Sequence, residues 1–239
     1  MFDISKITNK KTAGNKKAIK KVQEIMKIQF PELGEGEINN LPYRIFGGPK
    51  MGFVYEIYIA KDQDEEIFGF IVYSYFPRYN FFFLDHLAVS PGLTGRGIGG
   101  NLYEFLRAKA KEKDSIGILY ECLNDDPNQK IKKEILEQNM SRLKFYEKYG
   151  ARPIINNVFH EKINEDDYST LLVFDPLDVP PVFHRDMARK IVRKIIQKKY
   201  SDYLSPDHIK KVTASLKDNP AVIREPKYIK KEQNLNNPK

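Results

Sequence analysis

Two stretches of this chain combine residue types that could do chemistry. The first is Gly95-Arg96-Gly97-Ile98-Gly99-Gly100, in which four of six positions are glycine. Such a backbone can approach a ligand closely. Where it opens a helix, its N–H groups and the helix dipole both favour a negative charge. Arg96 adds a fixed positive charge, so a phosphate or pyrophosphate is the natural guest; a flexible turn is the competing reading. No Lys-Ser or Lys-Thr closes the loop as a P-loop requires, and the loop follows three short-linked strands instead of opening a βαβ dinucleotide unit. The second stretch, Asn139 to Pro153 (NMSRLKFYEKYGARP), sets an amide, a guanidinium and two phenols on one helical segment closed by Gly150.

The elements that must position these residues are readable from periodicity. Leu84, Leu87 and Val89 belong to a strand that Ser90-Pro91-Gly92 stops, and Ile98, Leu102, Phe105 and Leu106 fall at helical spacing. Upstream, Phe53–Ala60, Ile67–Phe76 and Phe81–Val89 read as three strands linked by the turns Lys61–Glu65 and Pro77–Asn80, with Gly69 at a bulge. The dense aromatics of this region (Phe70, Tyr73, Phe76, Phe81, Phe82 and their neighbours) read as core and cross-strand packing. Before the strands, residues 1–13 read as loose, Asn15–Phe30 as an amphipathic helix and Glu32–Asn40 as a loop whose acids, Glu32, Glu35 and Glu37, either face a cationic substrate or are simply solvated.

After the glycine loop and its helix, Ser115–Cys122 reads as a strand carrying Glu121. Lys130–Gln138 is charged and helical, Asn139–Tyr149 is a short helix, and Ile154–Glu161 with Ser169–Phe174 form a last strand pair. A proline-rich edge follows at Asp175–Pro181. His184–Leu204 and Asp207–Leu216 are helices, the second with Ser205 as cap and Pro206 at its first position, and Asn219–Lys239 is low in hydrophobics and expected to be disordered.

Together the two motifs resemble the GNAT (GCN5-related) N-acetyltransferase superfamily. Thr94-Gly95-Arg96-Gly97-Ile98-Gly99 matches its acetyl-CoA signature, Gln/Arg-x-x-Gly-x-Gly/Ala, at every position but the first. Asn139, Phe145, Tyr146 and Gly150 match its later Asn…Phe-Tyr-x-x-x-Gly pattern. The resemblance covers roughly residues 15–175. It implies an α/β (α+β) fold: a mixed, mostly antiparallel central sheet flanked by helices. Here a C-terminal helical extension is added, giving a GNAT domain at 1–180, the extension at 181–218 and a basic tail at 219–239.

The resemblance also implies transfer of an acetyl group from acetyl-CoA to a primary amine by direct attack in a ternary complex. Thr94 to Gly100 would hold the pyrophosphate. Leu87, Ala88 and Val89, on a splayed and bulged strand, would offer backbone N–H to the thioester carbonyl. Asn139 would contact the cofactor, with Arg142 standing where a small residue is usual. Tyr146 would be the general acid for the departing thiolate. Asp85 occupies a position where spermidine acetyltransferases carry an acid proposed as base, and Glu121 is the second candidate base. His86 reads as a satisfied strand histidine and Cys122 as a small core residue.

Composition narrows the setting. The net charge of +8 hides an asymmetry: residues 1–30 carry +6, residues 31–183 carry −7 and residues 184–239 carry +9. The acidic body suggests a cationic small-molecule acceptor such as a polyamine. A protein lysine or N-terminal acetyltransferase is the alternative among enzymes, and a non-catalytic acyl-CoA-binding regulatory protein the alternative from another class. Nucleic acid is not expected as a partner, since basic helix faces are commonly just solvated. The apolar stripe of the 184–204 helix must pack on this body or on a second subunit, so a homodimer through it is one expectation. No metal is expected. A single cysteine excludes an intramolecular disulfide, and no signal peptide or membrane-length apolar run is seen, so a cytoplasmic protein without a membrane partner is expected.

Overall fold

The structure, a computed structural model, describes residues 2–31, 33–46, 52–129, 131–159, 169–180, 182–200 and 204–229. Glu32, the expected strand end at 160–161, the end of the helix beyond residue 200 and the tail from 230 onward lie outside the described residues. The chain divides into two compact units, Met1–Ile118 and Leu119–Lys239. It is a mixed α/β fold of strands flanked by helices, with helices again in the C-terminal extension, as expected.

The first unit holds β1 (Asp3–Ile7), α1 (Ala13–Gln29), α2 (Glu35–Asn39), α3 (Leu41–Phe46), β2 (Val54–Lys61), β3 (Ile67–Phe76), β4 (Phe81–Val89) and α4 (Ile98–Glu112). Its strands lie in the order β1-β2-β3-β4, each antiparallel to the next. The aromatic run is indeed cross-strand packing. Phe76 faces Phe81 in register with rings stacked at 4.4 Å, and Tyr75 faces Phe82 at 4.7 Å. Thr12 starts α1 by accepting the Asn15 N–H, and Ile19, Val22, Ile25 and Met26 bury the apolar face of this helix.

Two expectations for this unit are corrected. Part of the segment expected to be loose is the edge strand β1, paired from Asp3↔Lys61 to Ile7↔Ile57. Five residues are too few for an alternation to stand out; long-range pairing with β2 makes this strand. The expected loop at Glu32–Asn40 contains α2, and α3 follows it directly; the buried Ile38 and Leu41 hold the two.

The second unit holds β5 (Ile118–Leu123) from Leu119 on, α5 (Lys133–Glu147), β6 (Arg152–Pro153), β7 (Thr170–Asp175), α6 (Arg185–Tyr200) and α7 (Pro206–Ser215). Its strands run in the order β5-β7-β6, with Arg152↔Phe174 and Pro153↔Val173 antiparallel. The two helical segments expected around residue 138 are one helix, α5, which ends before Gly150 at φ 79°. Ser205 caps α7 through the His208 N–H, with Pro206 at its first turn.

Two further corrections concern the extension. The stripe Ala188, Ile191, Val192, Ile195 and Ile196 is at most 2% exposed within this single chain, so it is not an open face for a second subunit. The tail expected to be disordered from 219 is ordered through Ile229. Ile154 bridges to Ile223, the Arg224 N–H reaches the Pro153 carbonyl at 2.8 Å, and Arg224 and Lys227 pair with Asp125. Low hydrophobicity misleads there because buried carboxylates, not apolar contacts, hold the segment.

Candidate active site

In the first unit the site is built on β4. β3 and β4 stay in register from Gly69↔Val89 to Val72↔His86 and again from Tyr73↔Leu84, which leaves Asp85 as the extra residue of a β-bulge. A bulge re-aims the side chain it carries. It falls where the strand changes character: Phe81 to Leu84 are buried on both faces, whereas Asp85, Leu87 and Val89 alternate as half-exposed positions. The expectation of a bulge at Leu87–Val89 is thereby corrected, since those three residues keep regular register with Ile71, Phe70 and Gly69.

Asp85 Oδ2 accepts the Ser74 hydroxyl at 2.8 Å, and Ser74 is fully buried. Next to it His86, 7% exposed, has Nε2 at 3.3 Å from Glu37 Oε1 on α2 and its ring 5.3 Å from Phe30. Arg44 on α3 lies within electrostatic range of Asp85, Glu37 and Tyr55. Burial opposes the charge on Arg44, but those three neighbours outweigh it and raise its pKa. Tyr55 is pushed well above the usual phenol range, first by burial and then by the negative field of Asp85, with Arg44 opposing. The short helices before β2 therefore bring polar groups to the candidate base. Of these, only Glu37 was flagged by the sequence. Nothing in local periodicity marks Ser74, Arg44 or Tyr55, which join the cluster through pairing and helix docking.

β4 leads directly into the glycine loop. Its exit is pinned by three bonds: Gln29 Nε2 donates to the Val89 carbonyl at 2.9 Å, the Ser90 N–H to Phe68 O at 2.7 Å and the Ser90 hydroxyl to Ile67 O at 3.0 Å. Gly92, Gly95 and Gly97 all take positive φ (80°, 87° and 79°), so the loop cannot be replaced by ordinary residues without strain. Gly97 is the N-cap of α4, and its carbonyl accepts both the Asn101 N–H and the Asn101 side-chain amide. Ile98, Gly99 and Gly100 are the first helical positions, whose N–H groups have no intrahelical acceptor. Thr94 and Arg96 are exposed beside them. Left-handed glycines, forward-pointing N–H groups and a cation suit an anionic group such as a pyrophosphate.

In the second unit α5 carries the other motif residues. Asn139, 2% exposed, donates Nδ2 to the Asn124 carbonyl at 3.0 Å, just beyond β5. Tyr146, 6% exposed, packs its ring 4.4 Å from Tyr120 and 4.9 Å from Phe145. Its pKa is raised far above the usual phenol value by burial and by the neighbouring Cys122, with the Arg142 guanidinium opposing. Arg142 also opposes the burial that pushes the Cys122 thiol up to about 12. Cys122 is therefore a protonated core residue and no nucleophile.

Glu121, the second candidate base, is engaged by the extension. Lys199 forms an ion pair with it, and the Tyr200 hydroxyl lies 3.0 and 3.1 Å from its two oxygens. Its side chain is 7% exposed. The geometry makes it the anchor of α6. Among the described residues no cluster of His, Cys, Asp and Glu is arranged to hold a metal ion. No described helix is long and apolar enough to cross a membrane.

Comparison with known proteins agrees with this geometry. Residues 54–150 match the profile of the Acetyltransferase (GNAT) domain. No curated protein matches the chain in sequence. Among solved structures, a putative GNAT-family acetyltransferase from Bacteroides thetaiotaomicron superposes with a TM-score of 0.55 at 18% identity, covering 82% of this chain and 97% of its own. The catalytic domain of the Tetrahymena GCN5 histone acetyltransferase in complex with coenzyme A gives 0.52 at 16% identity, covering 74% and 93%. An aminoglycoside 6'-N-acetyltransferase complexed with coenzyme A gives 0.52 at 18% identity, covering 75% and 99%. At such identities the likeness establishes the fold.

Proposed function

We propose that this chain, whose residues 54–150 match the Acetyltransferase (GNAT) domain model, transfers an acetyl group from acetyl-CoA to a primary amine of a cationic small molecule such as a polyamine. The observation that carries this reading is the bulge at Asp85, which singles out one carboxylate on the strand that runs straight into the glycine loop. Two of the superposed structures, a histone and an aminoglycoside acetyltransferase, are named for cationic acceptors. The carboxylates Asp85 and Glu37 suit such an acceptor.

Acetyl-CoA, when bound, supplies the acetyl group as an activated thioester. The N–H groups of Gly95 to Gly100, with Arg96 and Thr94 beside them, hold the pyrophosphate. Asp85 takes a proton from the acceptor ammonium, directly or through water, and frees the nitrogen lone pair. Backbone N–H groups of Leu87 to Val89 stabilise the negative charge that grows on the carbonyl oxygen. The new C–N bond forms as the C–S bond breaks, and the nitrogen sheds its second proton to water to leave the neutral amide. Tyr146 gives its phenolic proton to the thiolate, and Asn139, with Arg142 on the same helix, contacts the cofactor. Both Asp85 and Tyr146 return to their starting states by proton exchange with water.

The test is release of CoA thiol from acetyl-CoA across spermidine, spermine, small diamines, aminoglycosides, amino acids and lysine peptides. Turnover with a polyamine or diamine, lost in Asp85→Asn, supports the reading. Turnover confined to lysine peptides would make the protein a protein acetyltransferase. Tight acetyl-CoA binding without turnover of any amine would make it a binding protein.

A further inference from the structure

Glu147 is the last residue of α5 and only 7% exposed. A carboxylate is unfavourable there, because the C-terminal end of a helix dipole is itself negative. Its partners come from the far end of the chain. The backbone N–H of Lys227 reaches Oε2 at 3.0 Å, and those of Tyr228 and Ile229 reach Oε1 at 2.8 and 2.7 Å.

A second buried carboxylate does the same. Asp125, 2% exposed, accepts Arg224 Nη1 at 2.8 Å, Lys227 Nζ at 3.0 Å and the Tyr228 hydroxyl. Burial alone would raise its pKa, but the bonds from Arg224, Tyr228 and Lys227 outweigh it and hold the carboxyl below its usual range. Just ahead of the residues that meet Glu147 the segment runs beside β6, the end strand of its sheet. The Ile155 N–H donates to Val222 O at 2.9 Å, and Arg152 Nη1 donates to Arg224 O at 2.8 Å.

The two anchors bracket the catalytic helix. Glu147 follows Tyr146 directly. Asp125 follows Asn124, whose carbonyl holds Asn139. No side chain caps the start of α5, so its hold comes from the residues toward its C-terminal half, Asn139, Leu143, Tyr146 and Glu147, which are buried. We propose that residues 221–229 form a strap that seats α5 for catalysis, with Glu147 and Asp125 as positioning residues acting through Tyr146 and Asn139. This rests on the acetyl-transfer reading. It gives the C-terminal extension a part in the reaction although it lies outside the matched domain, residues 54–150.

The experiment uses the full chain with Glu147→Gln. A second variant, Lys227→Gln with Tyr228→Phe, weakens the strap from its own side should the first fail to fold. Three quantities are read: hydrogen exchange of the amides at 221–229, the alkylation rate of Cys122, which is the sole cysteine and adjoins Tyr146, and kcat against the KM for acetyl-CoA. The expected result is faster exchange in the strap, faster Cys122 alkylation and a kcat lowered by about tenfold to a hundredfold, the cost of a misplaced catalytic group. The KM for acetyl-CoA rises less than kcat falls, because Asn139 and Arg142 shift with α5 while the glycine loop, bonded within its own unit, keeps its hold on the pyrophosphate.

A strap that exchanges freely while Cys122 alkylation and kcat remain at wild-type values overturns the proposal. So does a strap that stays protected in both variants. Wild-type protein that turns over no amine defeats the acetyl-transfer reading by itself. The seating of α5 is then decided by Cys122 alone: unchanged alkylation overturns it, and faster alkylation upholds it.

Discussion

The Ser74 hydroxyl donates to Asp85 at 2.8 Å across the one break in register between β3 and β4. A fully buried serine thus holds a half-exposed carboxylate at a bulge. If Asp85 accepts the ammonium proton, Asp85→Asn should lower kcat/KM by about 10²–10⁴-fold, the usual share of a general base. Ser74→Ala should lower it less, since the base remains and only its orientation loosens. Steady-state kinetics on the two variants checks the order. Equal losses would make Ser74 more than a support.

Gly69 is needed for close approach. A Cβ there would lie 2.8 Å from the Ala88 carbonyl oxygen and 3.3 Å from Val89 Cα, both backbone atoms that cannot swing aside. Gly69→Ala should therefore displace β4 just before the glycine loop and cost about 1–3 kcal/mol of stability, as overpacking does. Urea denaturation measures the loss, and CoA binding should weaken with it.

Tyr146→Phe should lower kcat by about two to four orders of magnitude while CoA binding persists, because the phenyl ring still fills its place against Tyr120. Burial raises the phenol pKa above its ordinary 10.0, so the acid stays protonated throughout the neutral range. The group favours the folded state below pH 10.0, and this contribution fades only as the pH rises beyond that value. An alkaline limb in kcat below pH 10.0 that vanishes in Tyr146→Phe would contradict this.

Glu121→Gln should act on stability before chemistry. Removing one partner of a fully buried ion pair costs about 3–5 kcal/mol. Lys199 is 22% exposed, and a lower cost, about 2–3 kcal/mol, is expected for this pair. Thermal denaturation reads it directly. An unchanged midpoint with abolished turnover would instead make Glu121 the base.

Asp125 gives the strap a pH limit. Its folded pKa lies below the ordinary 3.8, so its stabilising effect is complete above that value and is lost as the pH falls through the lowered one. Strap amides should lose protection from hydrogen exchange in acid below pH 3.8, and Asp125→Asn should show the loss already at neutral pH. A strap equally protected at pH 3.8 and well below would contradict it.

Much of the fold was legible. β3 and β4 have the bounds expected from their apolar runs, and α1, α4 and α6 follow from apolar stripes at helical spacing. These signals are local, and burial of a face imposes the period. β1 was not legible, because five residues carry too short a pattern. Glu37 was seen as an acid, but its pairing with His86 at 3.3 Å depends on α2 docking beside β4. Glu121 was legible as a candidate base, but its bonds to Lys199 and Tyr200, nearly 80 residues later, were not.

By itself the sequence determined the glycine loop, its helix and the two motifs, because turn chemistry and periodicity are written in neighbouring residues. Tertiary structure decided what surrounds each carboxylate. Asp85 stands out only because the β3–β4 register slips by one residue. Asp125 and Glu147 become anchors only because a polar segment about 80 to 100 residues away returns to them. A charge's role is set by what surrounds it after folding. Burial makes an unpaired carboxylate costly, so long-range partners, invisible to any local pattern, fix its place.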